Sequence, residues 1–435
     1  MVECEGCKEL RDQLALALKR IAELEARLAM YDNAHTPPSL KRYPDKRKSE
    51  SSGRLGRPPG YEGTTRPTPK PDKQIVVLKK QCNACGSMLG EPSEFVSRII
   101  EEIPKPLPRI VTEFKLGYYH CRCGHSNIAE HADCPREGVL GLRALSQIAL
   151  LKYECRLPCR LVCTALERDY GLLVTPATVL AANQRVANGL QNEYNAIMRR
   201  IRHASVLYID ETSFKVGGVK YWLWAFCTPT ETLVVIRPSR SKKVLREVVG
   251  TEFTGLIVCD GWKTYSNFTD KLQRCWAHVL RESKNASEFE DEAVPLHKAL
   301  KKLFRRLVSD LESNPSFERR LALHRNAVQV LRFWLSKEWQ SERVRKLVGK
   351  IRNGSKHWFT FVLVPGVEPT NNRAERALRE HVVIRKIIGT LRNGKGIRAH
   401  EVIMSVLASW RQEQAVTENV DFRERLVDAL RVKAS

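Results

Sequence analysis

Between residues 205 and 260 the apolar residues alternate with period two, and two of the resulting runs arrive at an aspartate. The first run, SVLYIDETSFKV, is followed by Gly217-Gly218 and then VKYWLWAFC, a spacing that predicts a hairpin closed by a two-glycine turn. Thr228-Pro229-Thr230 turns the chain again, TLVVIRP predicts a third strand, SKKVLREVVG a short helix, and TGLIVCDG a buried strand ending at an acid. Three antiparallel strands, a crossover helix and a parallel fourth strand make the first and fourth strands neighbours. That arrangement brings Asp210 of YIDET and Asp260 of VCDGW to one end of a sheet. An acid closing an apolar strand is costly to place unless something charged meets it. Two hard oxygen ligands side by side suit Mg²⁺.

This strand order is the opening of an RNase H-like fold, and it predicts a third acid on a later helix. VEPTNNRAERALREHVVIRK supplies one: Thr370 is the expected N-cap, and Glu375 projects one turn after Asn371 and Asn372. Asp, Asp and Glu can hold two Mg²⁺ ions (or Mn²⁺) about 4 Å apart, one activating an attacking oxygen and the other stabilising a leaving oxygen in phosphoryl displacement. Strand alternation sends Glu211 to the opposite face from Asp210, so its loss is expected to do less harm.

The remainder of the chain divides by composition. At 435 residues there is room for about three domains. Residues 8–30 carry Leu10, Leu14, Ala17, Ile21, Leu24 and Leu28 at alternating spacings of four and three, a heptad seam. It fits either a short coiled coil pairing two protomers or one amphipathic helix lying on its own protein. Residues 31–74 are rich in Pro, Gly, Ser and basic residues and read as a flexible linker. Within it, Arg54 and Arg57 of RLGRP suit an arm entering the DNA minor groove, or simply a solvated basic segment. Residues 138–202 read as three helices, with Pro158 in a first turn, Gly171 at a helix end and Thr175-Pro176 as N-cap and first residue. They fit a helix-turn-helix DNA-binding domain or a helical spacer. Cys155, Cys159 and Cys163 fall on one helical face as small buried residues. Residues 203–412 hold the acids, with a charged helical insertion at about 285–350, and 413–435 form a C-terminal tail. The fold class expected is therefore multidomain α+β.

Lys and Arg number 73 against 49 Asp and Glu, a formal charge of +24. Such a balance points to a polyanionic partner, nucleic acid before a membrane surface. No apolar run approaches the roughly 20 residues of a membrane helix, and the N-terminus lacks a secretory pattern. A cytoplasmic, nucleoid-associated protein is expected. Thirteen cysteines are then better read for metal and packing than for disulfides. Cys82 and Cys85, with Cys121 and Cys123, form two close pairs, each followed by glycine, as one structural Zn²⁺ in a ribbon over residues 75–134 requires. His125, His131 or Cys134 could replace a ligand of the tighter pair. FVSRIIEEI and RIVTEFKLGYYH are the ribbon's expected strands.

Taken together, the N-terminal seam, the stretch from Asn33 to Ser39, the basic Gly-Pro linker, CNACG…CRCG, YIDET, CDGW, Cys275-Trp276-Ala277-His278 and PTNNRAERALR resemble the DDE transposases of bacterial and archaeal insertion sequences, specifically the large transposase subunit of the insertion sequence 66 type. The resemblance spans about residues 10–412, and PTNNRAERALR is its most specific part. It implies a catalytic triad of Asp210, Asp260 and Glu375, supported by Asn371, Asn372 and Arg376. It also implies that Cys275 and His278, a C-x-x-H element with only two visible ligands, support the active site locally. The activity implied is metal-dependent cleavage at the element's terminal inverted repeats and strand transfer into target DNA. The enzyme would act as a homodimer or higher oligomer, alone or with accessory proteins of the same element. An RNase H-like nuclease or resolvase would use the same acids without strand transfer; a zinc-ribbon and helix-turn-helix regulator would need none of them.

Overall fold

The computed structural model describes residues 13–21, 69–106, 108–414 and 421–431. Arg54, Arg57 and, of the heptad seam, Leu10, Leu24 and Leu28 lie outside them. Residues 13–21 are helical, with Leu14, Ile21 and their neighbours exposed. Among the described residues no helix is long and apolar enough to cross a membrane.

The chain forms two compact units, residues Lys48–Arg109 and the remainder. In the smaller unit the expected strand FVSRIIEEI is not formed, and its Phe95, Val96, Ile100 and Ile103 are exposed. Of the second expected ribbon strand only Tyr118–His120 (β1) is extended, paired antiparallel with Ser126–Ile128 (β2).

The larger unit is α+β and built on one mixed sheet. Its strands are Val206–Val216 (β3), Val219–Cys227 (β4), Thr232–Arg237 (β5), Leu256–Cys259 (β6) and Leu272–Arg274 (β7), in the order β5-β4-β3-β6-β7. The first three run antiparallel; β6 pairs parallel with β3, and β7 with β6. Gly217 and Gly218 both take positive φ, 55° and 82°, which closes the β3–β4 hairpin with the twist its strands need. Alternation divides each strand between two cores. Leu207, Ile209, Trp224, Phe226, Leu233, Val235 and Ile257 face one core. Tyr208, Phe214, Leu223, Ala225, Val234, Ile236 and Val258 face the other.

The first core is covered by the helices preceding the sheet: Leu142–Ala149 (α1), Cys159–Tyr170 (α2), Pro176–Gly189 (α3) and Gln191–Arg202 (α4). Two caps are those expected: Gly171 is left-handed at φ 63° after α2, and the Thr175 hydroxyl accepts from Thr178 N at 3.2 Å ahead of Pro176; Pro158, expected in a first turn, is instead the extended N-cap of α2. Cys155 departs from expectation. The chain leaves α1 through a π turn, and Arg156 takes φ 60°, so Cys155 is exposed and off the α2 face that holds Cys159 and Cys163. Lys242–Val249 (α5) is the crossover and Lys263–Ser266 (α6) a single turn before β7.

The second core takes Trp276–Phe289 (α7), Ala293–Glu312 (α8), Phe317–Ser336 (α9), Glu342–Asn353 (α10) and Thr360–Leu363 (α11). Asn372–Ile388 (α12), Gly394–Gln414 (α13) and Phe422–Leu430 (α14) complete the unit. Residues 413–435, expected as a tail, thus include a helix whose Leu426 is wholly buried. An edge strand exposes backbone donors that invite wrong pairing. Here α13 covers β5: Thr232 N donates to Ser409 Oγ (3.0 Å), Val234 N to Ser405 Oγ (2.9 Å) and Ile236 N to Glu401 Oε1 (2.5 Å). Three polar side chains at helical spacing thus meet three alternate amides.

Candidate active site

β3 and β6 pair in parallel as far as Tyr208 and Val258, and two residues further along each strand come Asp210 and Asp260. Both have the parity of the second core, the face on which α12 carries Glu375. Each aspartate holds one backbone amide: Glu211 N donates to Asp210 Oδ1 and Trp262 N to Asp260 Oδ1, both at 2.9 Å. Burial pushes the Asp210 carboxyl well above the usual carboxylate range, and the negative charges of Glu211, Asp260 and Glu375 push the same way. Three acids far apart in sequence therefore act on one another, an excess of negative charge that a cation would relieve.

The segment leading into α12 is sewn to the sheet. Glu368 N donates to Tyr208 Oη at 3.1 Å, and Trp276 N donates to Pro369 O at 3.0 Å. Asn371 is wholly buried; its amide N donates to Cys275 Sγ (3.1 Å) and its Nδ2 to Ile209 O (2.8 Å), one residue before Asp210. Asn371, not Thr370, occupies the N-cap of α12, because its carbonyl accepts from Glu375 N (3.1 Å). Asn372 and Arg376 are exposed on the first turns of α12.

Cys275 and His278 gain the third ligand that sequence did not reveal. His278 Nδ1 lies 3.6 Å from Glu375 Oε1, and Arg281 lies 3.7 Å from Glu375 Oε2. Cys275, His278 and Glu375 place ligand atoms within 4.8 Å of one another, a group that could hold a metal ion and the single such group among the described residues. Asp210, Asp260 and Glu375 do not close to that span. Glu375 Oε1 is buried without a hydrogen bond, as an oxygen reserved for a cation would be. Burial pushes the Cys275 thiol up to about 11.

Glu211 does point away from Asp210, yet the face it points to is core. It is buried, bound by Arg240 Nε at 2.6 Å and by the Tyr265 hydroxyl, with Arg240 stacked between Trp222 and Trp262 at 4.8 and 4.0 Å. Burial and Asp260 push its carboxyl up. What the expectation lacked was the burial of Glu211, because alternation separates faces without saying whether both are buried. A buried acid in YIDET with an arginine downstream was the signal available.

The cysteine pairs each form a tight turn. In the smaller unit Gly86 N donates to Cys82 O (3.0 Å) and Ala84 N to Cys82 Sγ (3.4 Å), and hydrogen bonds led by Ser87 lower the Cys85 thiol. In the larger unit Gly124 N donates to Cys121 O (2.9 Å), and the Cys123 backbone lowers the Cys121 thiol.

A mixed sheet that carries half-buried, interacting carboxylates on two neighbouring parallel strands, one within β3 and one just after β6, defines an α+β protein with an acidic, metal-capable site. The chain belongs to the transposase IS66 family, whose family model matches residues 137–399. That span takes in Asp210, Asp260, Cys275, His278 and Glu375. No curated protein matches the chain.

Proposed function

We propose that this protein is a DNA transposase that cleaves a phosphodiester at its element's terminal inverted repeats and joins the freed 3′-OH to target DNA. The observation that carries the reading is that Asp210 and Asp260 each follow the last β3–β6 pair by two residues and act on one another, with Glu375 in the same field. The strand order β5-β4-β3-β6-β7 supports an RNase H-like catalytic domain.

Asp210, Asp260 and Glu375 would hold divalent cations, Mg²⁺ or Mn²⁺; these hard, negatively charged oxygens fit such ions. When bound, the ions supply Lewis-acid stabilisation of the attacking and leaving oxygens. The chain's own part is placement. Glu211 N and Trp262 N orient the aspartates, Asn371 fixes the start of α12 against β3, and His278 and Arg281 steady Glu375. Arg376 and Asn372, exposed on the same helix as Glu375, would be available to a phosphate backbone. The α2–turn–α3 pair supports a helix-turn-helix role, and Arg54 and Arg57 a linker role in DNA contact. A second protomer paired through the N-terminal seam would let two element ends be handled together.

Asp210→Asn, Asp260→Asn and Glu375→Gln are expected each to abolish cleavage and strand transfer of a labelled element end while leaving DNA affinity intact. Affinity comes mainly from cations meeting phosphates, and the acids act only at the scissile bond. Cleavage at the wild-type rate by either Asp260→Asn or Glu375→Gln refutes the triad.

A further inference from the structure

Between residues 293 and 353 there are fifteen Lys and Arg against five Asp and Glu. Their distribution is uneven. On α10, Lys346 pairs with Glu342 (2.7 Å) and Lys350 with Glu282 (3.0 Å), so both lysines there are matched. On α8 the lysines are not. Leu296, Leu300, Leu303 and Leu307 fill the core side of that helix. Lys298, Lys301, Lys302, Arg305 and Arg306 occupy the opposite side, all exposed, and together line one shallow groove. Only Arg306 has an acid nearby, Asp310 at 3.6 Å; among the described residues the other four pair with no carboxylate.

We propose that this face of α8 is a binding surface for the phosphate backbone of duplex DNA. The inference rests on the transposase reading and adds a further DNA-contact surface to it. At a rise of about 1.5 Å per residue the five cations span roughly 12 Å, held in line by a rigid, core-anchored helix. A duplex, with one charge per about 1.7 Å of axis, offers several phosphates over that length. Single-stranded nucleic acid would call for stacking aromatics among the cations. None is present, because the one aromatic of α8, Phe304, packs inward on Trp276 with centroids 5.5 Å apart. A membrane-binding helix would need apolar side chains free to insert, and the leucines of α8 are committed to the core.

The test replaces Lys298, Lys301, Lys302 and Arg305 with Gln in the full chain. Binding to a duplex of random sequence is measured from 50 to 300 mM salt. Each lost phosphate contact lowers the slope of log K against log salt by about 0.9, so a fall of about 2 to 4 is expected, with affinity weakened about tenfold or more. A variant with Lys298, Lys301 and Lys302 all changed to Arg is expected to keep the wild-type slope, since charge is what is read. An unchanged thermal midpoint shows that the Gln variant folds. An unchanged slope in a folded Gln variant overturns the proposal. So does selective loss of binding to phosphatidylserine vesicles with DNA binding intact, which would make the face a membrane surface. If the wild-type chain itself does not bind duplex DNA, the transposase reading falls as well; if it binds and the variant matches it, only the surface assignment falls.

Discussion

Replacing Asn371 with Ala removes a single side-chain amide, and its effect on stability and on chemistry should differ in size. The Nδ2 of Asn371 is the donor to Ile209 O at 2.8 Å, in a wholly buried site. β6 pairs with β3 only as far as Tyr208, so no strand stands ready to replace the donor. A buried acceptor left unsatisfied costs about 1–3 kcal/mol. At about 2 kcal/mol the melting temperature should fall by about 3 °C in a unit of this size, since unfolding entropy grows by about 2.1 cal/mol/K per residue. Catalysis should suffer more. Asn371 begins α12, its carbonyl holds Glu375 N, and Ile209 immediately precedes Asp210, so the latch sets the spacing between two of the acids. A displacement of about 1 Å at a reacting centre can cost on the order of 100-fold in rate. The expected result is therefore a modest drop in melting temperature, cleavage of a labelled element end reduced about 100-fold, and DNA affinity unchanged within a factor of about two. Asn371→Asp should be worse, because it exchanges the donor for an acceptor facing a carbonyl beside Asp210. Wild-type cleavage by Asn371→Ala in the face of a lowered melting temperature would refute the reasoning, since the latch would then serve the fold alone.

Other perturbations probe separate parts of the molecule. Arg240→Ala leaves Glu211 buried with only Tyr265 as partner, and removing one member of such a pair is expected to cost about 3 kcal/mol, reduced somewhat by the partial exposure of Arg240; a denaturant midpoint equal to wild type would count against it. His381 and His400 share a 2.9 Å hydrogen bond in the core, and burial lowers His381 to about 3 and His400 well below its ordinary value. Their folded-state values lie below the unfolded one, so their contribution is complete above about pH 6.5 and is lost as pH falls, at up to about 1.4 kcal/mol per pH unit for each imidazole. The raised carboxyls of Asp210, Glu211 and Glu401 act in the opposite direction, so the measurement is the difference from His381→Gln/His400→Gln in denaturant midpoints between pH 7 and 5; parallel curves would dismiss the idea. Purified protein is expected to carry about one zinc per chain by metal analysis, and Cys82→Ser or Cys121→Ser to lose it; zinc-free, folded wild-type protein would end that reading.

Residues close together in the chain already determine much of this protein. The alternation of VLYIDETSFKV and VKYWLWAFC, the Gly217-Gly218 turn, the Gly171 end and the Thr175-Pro176 start are local matters of backbone sterics and neighbouring hydrogen bonds, and they stand in the structure as the sequence implies. The meeting of Asp210 with Asp260 was legible too, because parallel pairing follows once the crossover helix is recognised. Tertiary structure alone decided what lies against each face. Periodicity marks a face as apolar or polar, but it carries no information about the partner. Hence Glu211 is buried on Arg240, Cys275 bonds to Asn371 across 96 residues of sequence, and Glu375 joins His278. Hence, too, Glu401, Ser405 and Ser409, an unexplained polar stripe along an apolar helix, become the cover of β5. The energy of each contact depends on desolvation and on a partner supplied from a distant segment, and neither is written in the residues on one side alone.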